Sequence, residues 1–400
     1  MLLDENIYKY KRIKEIAKWS VGGTPSTSIK DAYEGDDLWA TIADLKDREI
    51  YETKNKIDSK YLSKKIVKKG DLLFSFKLSI GKVAFAGNNM YTNEAICSFS
   101  KNSKIDLNYL FYAAPVYIVR NKKINIYGAD LLNQDLIKNA TILYPPKNVQ
   151  KKIAIYLDNI TTNIDKKIKK YNKKIELLKE YKEALIYETI TKGLDKKSNI
   201  LWKAKRLKDI IYLNKGKAVE TVLEQINGYL PLIDTNYLRN RKDNIVYSKN
   251  GLYVKKNEVL VLWDGANSGE MFYNTNNGFL GSTFGVMKLK SKVNNSKFLF
   301  YYLKAFEKDI RKDIVGMGIP HVNGTKLKQR LIYIPPNNEQ NEIVNFLDKK
   351  TKEIDSEVKK LYKKIELIKE LKESIIYECV TGKLDIEKEG EKYQKIIESI

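Results

Sequence analysis

Apolar or small residues recur at Leu157, Thr161, Ile164, Ile168, Tyr171, Ile175, Leu178 and Leu185, with Lys, Asn, Asp and Glu filling most of the positions between them. The steps alternate four and three, which is a heptad seam: a stripe too narrow to cover a sheet but suited to one partner helix. The same register returns at Leu347, Thr351, Ile354, Val358, Leu361, Ile365, Ile368 and Ile375. Each stretch follows a Pro-Pro breaker, and the spacing predicts two helices of roughly 35 to 40 residues, about 50 to 60 Å long at 1.5 Å per residue. The closest partner for each seam is the other copy; the alternative is that each helix packs separately on its own globular segment. Antiparallel pairing would place a globular segment at each end of a rod and give the chain a pseudo-two-fold axis.

The seams belong to a longer repeat. Tyr144 to Asp195 aligns without a gap with Ile334 to Asp385, and roughly half the positions are identical, which marks a duplication. KKIELLKEYKEALIYETITKGLD in the first copy reads KKIELIKELKESIIYECVTGKLD in the second. The segments preceding the copies have diverged further while keeping an outline. RIKEI at Arg12 echoes RLKDI at Arg206, VKKGDLL at Val67 echoes VKKNEVL at Val254, and both close through an Asn and a short apolar strand into Pro-Pro. Runs such as DLLFSF, KVAFA, EVLVLW and FGVMKL, separated by Gly and Asn turns, predict twisted β-sheets. DLNYLFYAAP and NNSKFLFYYLKAF predict helices within the same segments. The fold class is therefore α/β (α+β), with two duplicated globular domains and two long helices. Helices that stay alike while the domains drift apart imply one shared task for the helices and two different tasks for the domains.

Charge then narrows the partner. The formal net charge is +23. An AT-rich genome would also enrich lysine, but along the whole chain. Here the excess is about +7 over residues 1–148 and about +12 over 199–337, with near balance in the second helical copy, a distribution that points to phosphate backbones. The charged start MLLDENIYKYKR has no apolar leader, and the longest aliphatic runs are too short to span a bilayer, so a cytoplasmic protein without a membrane partner is expected. Cys97, Cys379 and the single histidine, His321, lie without metal-ligand spacing.

Taken in order, GGTPST at Gly22, LWATIADL at Leu38, IGKVAFAG at Ile80, TNEAI at Thr92, GMGIPHVNG at Gly316, PPNNEQNEIVNFLD at Pro335 and VTGKLD at Val380 resemble the specificity subunit of type I restriction-modification systems over almost the full length. The resemblance implies target recognition domain 1 at 1–148, a central coiled-coil helix at 149–198, target recognition domain 2 at 199–337, and a C-terminal coiled-coil helix with tail at 338–400. It implies that each domain reads one half of a split double-stranded DNA site. The paired helices would fix the gap and bind two methyltransferase subunits, with restriction subunits joining the larger assembly. S-adenosylmethionine would sit on the methyltransferase, and this chain would need no cofactor of its own. Partner docking is expected at the helical ends, through Gln150, Gln340, Tyr187 and Tyr377. The chain departs from the family pattern at Val149-Gln150, at TKGLD from Thr191, and at LNKGKAV, which stands where GGTPS would recur.

Catalysis finds little support in the residues. The Pro-Pro pairs read YPPK and IPPN rather than an amino-methyltransferase motif, and no GxxxxGK[ST] loop is present. A non-catalytic chain is expected. Base reading needs Arg, Lys, Asn, Gln or Ser on loops beside a groove. Domain one offers Ser26, Thr27, Arg48, Lys77, Ser79, Lys82 and Asn125; domain two offers Asn236, Arg239, Arg241, Asn267, Ser268, His321 and Asn323. Each also fits an ordinary turn or a solvated position. An RNA-binding accessory protein with a coiled-coil arm, or a structural scaffold, are the alternative functions.

Overall fold

The computed structural model describes residues 9–124, 128, 130–195, 202–239, 244–291, 295–316 and 318–399. Among these, five helices have ten or more residues: α1 (Leu107–Arg120), α2 (Lys147–Lys192), α3 (Ser296–Ala305), α4 (Asn337–Val380) and α5 (Ile386–Ser399). The long pair, α2 and α4, have 46 and 44 residues. They exceed the expected length because the helix starts directly after Pro-Pro and continues past the last seam residue. Every seam position is buried or half-buried. The chain divides into two compact units, Met1–Tyr171 with Lys363–Ile400, and Asn172–Tyr362. Each long helix is thus shared between both units, unlike the division into domains and helices expected from sequence.

In the first unit, β1 (Trp19–Val21), β2 (Glu49–Ile50), β3 (Leu72–Ser75), β4 (Val83–Ala86) and β5 (Ile96–Phe99) form one sheet in the order β1-β5-β3-β4-β2. All neighbours are antiparallel except β2 and β4. All four residues of β3 are buried. Leu72 and Phe74 pack with α1, while Leu73 joins Ala40, Ile50, Val67 and Met90 on the opposite face. A strand covered on both faces reads as a continuous apolar run rather than an alternation, which explains DLLFSF. The second unit repeats this with β6 (Ile211–Lys215), β7 (Val259–Leu262), β8 (Met271–Tyr273) and β9 (Phe284–Leu289) in the order β6-β9-β7-β8. Val259 and Val261 of β7 face α3, and Leu260 and Leu262 face a second cluster with Ile233 and Phe284.

The helices pair with each other and also pack on the domains, so both arrangements raised by the sequence are present. In the first unit, Ile153, Leu157, Ile160 and Ile164 from the start of α2 share a core with α1 and with Ile368, Ile375, Cys379 and Val380 from the end of α4. In the second, Ile343, Val344 and Leu347 from the start of α4 share a core with α3 and with Ile186 and Ile190 from the end of α2. Start meets end in each unit, which is antiparallel pairing. Ion pairs line the seam: Asp165–Lys372 at 2.7 Å in the first unit, and Lys174–Glu357 at 2.9 Å and Lys182–Asp355 at 2.6 Å in the second. Exposed pairs of this kind contribute about 0.2 to 1 kcal/mol, against about 1.5 to 3 kcal/mol for each buried Leu or Ile. The apolar seam therefore supplies the stability, and the charges bias the register.

One element stands outside the duplication. α5 lies along the start of α2, where Lys152 pairs with Glu387 at 2.7 Å and Tyr156 donates to the Gly390 carbonyl at 3.2 Å. Lys167 donates to the Ile397 carbonyl, and Ile397 is buried. Lys152, Ile160 and Lys167 correspond in the repeat to Glu342, Lys350 and Glu357 of α4. Glu387 has Lys152 opposite it on the first face, where the second face carries Glu342, and the apolar Ile160 of the first face is replaced by Lys350 in the second.

Candidate nucleic-acid interface

Both domains grip their long helix through one constellation. In the first unit Gln150, fully buried, accepts from the Asp106 amide at 2.8 Å and donates to the Pro145 carbonyl at 2.7 Å. In the second, Gln340 accepts from the Asn295 amide at 2.8 Å and donates to the Pro335 carbonyl at 3.0 Å. Two helical turns on, the Tyr112 hydroxyl donates to Asp158 at 2.7 Å and meets Thr161 at 3.1 Å; Tyr301 does the same with Asp348 and Thr351, at 2.7 and 3.2 Å. Burial pushes the Tyr112 phenol up to about 12 and raises Tyr301 as well. The cation on the aspartate differs between the copies: Arg48 at 2.8 Å in one, Lys297 at 2.6 Å in the other.

This corrects three expectations. Gln150 and Gln340 are spent inside their own units rather than held out to a partner. Arg48 is likewise committed: its guanidinium pairs with Asp158 and lies 4.5 Å from the centre of the Phe111 ring, so it braces the domain on α2 rather than reaching for a base. Tyr187 and Tyr377 remain accessible near the helix ends. Tyr187 packs edge-on against Phe306, and Tyr377 lies between Arg120 and Lys383, whose hydrogen bonds and positive charge hold its phenol below the usual range.

The diverged loops gather elsewhere. In the first unit Gly22 and Gly23 donate to the carbonyls of Ile96 and Thr92 at 3.1 and 2.8 Å. A Cβ on Gly22 would lie 2.2 Å from the Thr92 carbonyl oxygen, so the close approach requires glycine. Trp39 is buried and donates through Nε1 to the Gly23 carbonyl at 3.1 Å. The Thr24 hydroxyl donates to Glu94, and with Lys77 nearby it holds that carboxyl below the usual range. GGTPST, TNEAI and the β3–β4 hairpin loop are thereby joined. Ser26, Thr27, Lys77, Ser79 and Lys82 on these segments are all exposed. Asn125 lies outside the described residues.

The second unit assembles its loops through other residues. The β7–β8 loop carries Asn267 and Ser268, and the segment through His321 pairs with it: Gly265 donates to the Pro320 carbonyl and Val322 to the Trp263 carbonyl, both at 2.9 Å. Lys215 pairs with Asp264 at 2.7 Å and lies over the Trp263 ring. Asn267 and His321 are accessible, whereas Ser268 is buried with no partner for its hydroxyl. Arg239 is tied to Glu270 at 2.7 Å, Asn323 caps the Gly324–Gln329 helix, and Asn236 lies on the Thr235–Leu238 turn. Arg241 lies outside the described residues. The residues that sequence reasoning passed over are Leu78, Glu94, Lys215, Asp264 and Ile319; an apolar residue inside a polar turn, as at Leu78 and Ile319, was the available signal.

The model for the type I restriction modification DNA specificity domain matches this chain twice, at residues 6–177 and 199–367. The MjaIX type I restriction enzyme specificity subunit of Methanocaldococcus jannaschii is 25% identical over 94% of this chain and 93% of its own length. The MjaVIII specificity subunit of the same organism is 31% identical, in a match spanning 45% of this chain and 42% of the relative. Among solved structures, a chain of a type I R-M system, studied for its complex assembly and conformational transition, superposes with a TM-score of 0.76 at 16% identity. That superposition covers 94% of this chain and 98% of the other. With two specificity domains on a repeated helical frame, this chain belongs to the type I restriction-modification DNA specificity family.

Proposed function

We propose that each recognition domain reads one half of a bipartite duplex site, and that the paired helices set the gap and dock two methyltransferase subunits. In this reading S-adenosylmethionine is carried by the methyltransferase, restriction subunits join a larger cytoplasmic assembly, and this chain performs no bond chemistry. The observation that carries it is the contrast between the two kinds of surface. The Gln-Tyr-Asp-Thr grip is reproduced in both units, while the loops at the candidate interface share almost no side chain. Two diverged readers on one duplicated frame suit an asymmetric site with two boxes. The excess of cations on the domains supplies the sequence-independent part of the affinity, and the loops supply discrimination. Tyr187 and Tyr377, equivalent in the repeat and accessible, are the proposed docking residues.

The test is co-expression of the chain with its methyltransferase, followed by mapping of methylated adenines in host DNA. A bipartite motif that disappears when this chain is omitted supports the reading. An active, bound methyltransferase that yields no such motif contradicts it and favours single-stranded RNA binding or a scaffold.

A further inference from the structure

Leu78 stands at the tip of the β3–β4 hairpin with 93% of its surface exposed. Its φ is 58°, a left-handed backbone conformation that residues with a side chain rarely adopt. The loop holding it is well tied. The Ser75 hydroxyl donates to the Ser79 carbonyl at 2.5 Å and accepts from the Lys82 amide at 2.9 Å. Gly81 donates to the Ser75 carbonyl at 2.9 Å, and Ile80 packs against the domain core. Lys77, Ser79 and Lys82 flank the leucine and are exposed. A large apolar side chain that covers nothing, fixed in an unfavourable conformation and ringed by cations, suits a partner that is anionic outside and apolar inside. Duplex DNA has both properties: phosphates for the lysines and a base step for the leucine.

We propose that Leu78 is a wedge that enters a base step of the half-site read by the first domain, unstacking it while Lys77 and Lys82 hold flanking phosphates. The proposal rests on the reading of that domain as a duplex reader. The matching β7–β8 loop places glycines, Gly265 and Gly269, at its left-handed positions and carries Ala266 and Asn267 at its tip. The second domain's exposed Ile319 lies on a different loop. Distortion that depends on Leu78 therefore falls in one half-site only.

The experiment uses the full chain bound to its methyltransferase and a duplex bearing the mapped target, with 2-aminopurine replacing successive adenines. The wild-type complex should raise fluorescence at one step of the first half-site. Leu78→Ala should abolish that rise and weaken Kd about ten- to thirtyfold, with the salt dependence unchanged because no charge is lost. Leu78→Gly, which relieves the left-handed strain, should raise Tm yet show the same loss of binding and signal, which excludes misfolding as the cause. Tight specific binding by wild type with no fluorescence change in that half-site, or Leu78→Ala binding as tightly as wild type, would overturn the wedge alone. Failure of the wild-type complex to bind any duplex specifically would overturn the duplex reading along with it.

Discussion

Gln150 and Gln340 each satisfy one backbone amide and one backbone carbonyl where a domain hands the chain to its long helix. Replacing either by Ala leaves a buried amide and carbonyl without partners, at a cost of about 1 to 3 kcal/mol. Urea unfolding should show that loss for both variants, while the remaining folded protein still binds the methyltransferase; loss of binding at unchanged stability would restore the docking role. Glu94 gives a pH-dependent test. Its folded carboxyl is held below the ordinary value of 4.5, chiefly by the Thr24 hydroxyl. The stability it contributes is therefore present above that value and lost as pH falls through the folded value. Thr24→Val should move the Glu94 titration seen by NMR upward; an unmoved curve contradicts the assigned contact. Sequence located both glutamines but not their role. A duplicated polar residue looks the same whether its partner is another protein or a backbone amide 44 residues away, and only the fold brings Asp106 to Gln150.

At the scale of the element, the seam residues Leu157 and Leu347 are fully buried and occupy equivalent places in the two units. Each Leu→Ala change should cost about 2 to 5 kcal/mol in thermal or urea unfolding, with similar values for the pair; a cost in only one copy would show that the two joints are not equivalent. The heptad pattern made this seam legible, because one narrow stripe has one way to be buried. The second apolar face, with Ile153, Ile186, Ile190, Ile343 and Val344, was not legible in the same way, since its partner is a domain rather than a helix. The buried strands were recognisable as apolar runs, but their order was not, because pairing between distant strands leaves no periodic trace. α5 was missed altogether and placed within a tail. Truncation after Asp385 should speed amide hydrogen exchange over Lys152–Lys167 and leave Glu342–Glu357 unchanged. Equal acceleration in both stretches would contradict the one-sided contact.

For the whole molecule, the duplication was the most informative feature of the sequence. It exposes which surfaces have been kept alike and which have been free to change. The kept surfaces are the seams and the grips on the domains; the changed ones are the loops around Thr24, Lys77 and Glu94 in one unit and around Asp264, Asn267 and His321 in the other. Which of these residues are free to meet a groove was only partly legible, because Arg48 and Ser268 carry the right chemistry, yet Arg48 is paired with Asp158 and Ser268 is buried. If the helices set the gap, a heptad inserted into both should lengthen the spacer of the methylated motif and leave its two boxes unchanged; an altered box at a fixed gap contradicts that role. The central claim, two independent readers on one shared frame, is tested most directly by replacing the first domain, up to Pro145-Pro146, with that of a homologous specificity subunit and mapping the methylated motif. The account predicts that one box changes while the other box and the gap stay the same. A change in both boxes would contradict it.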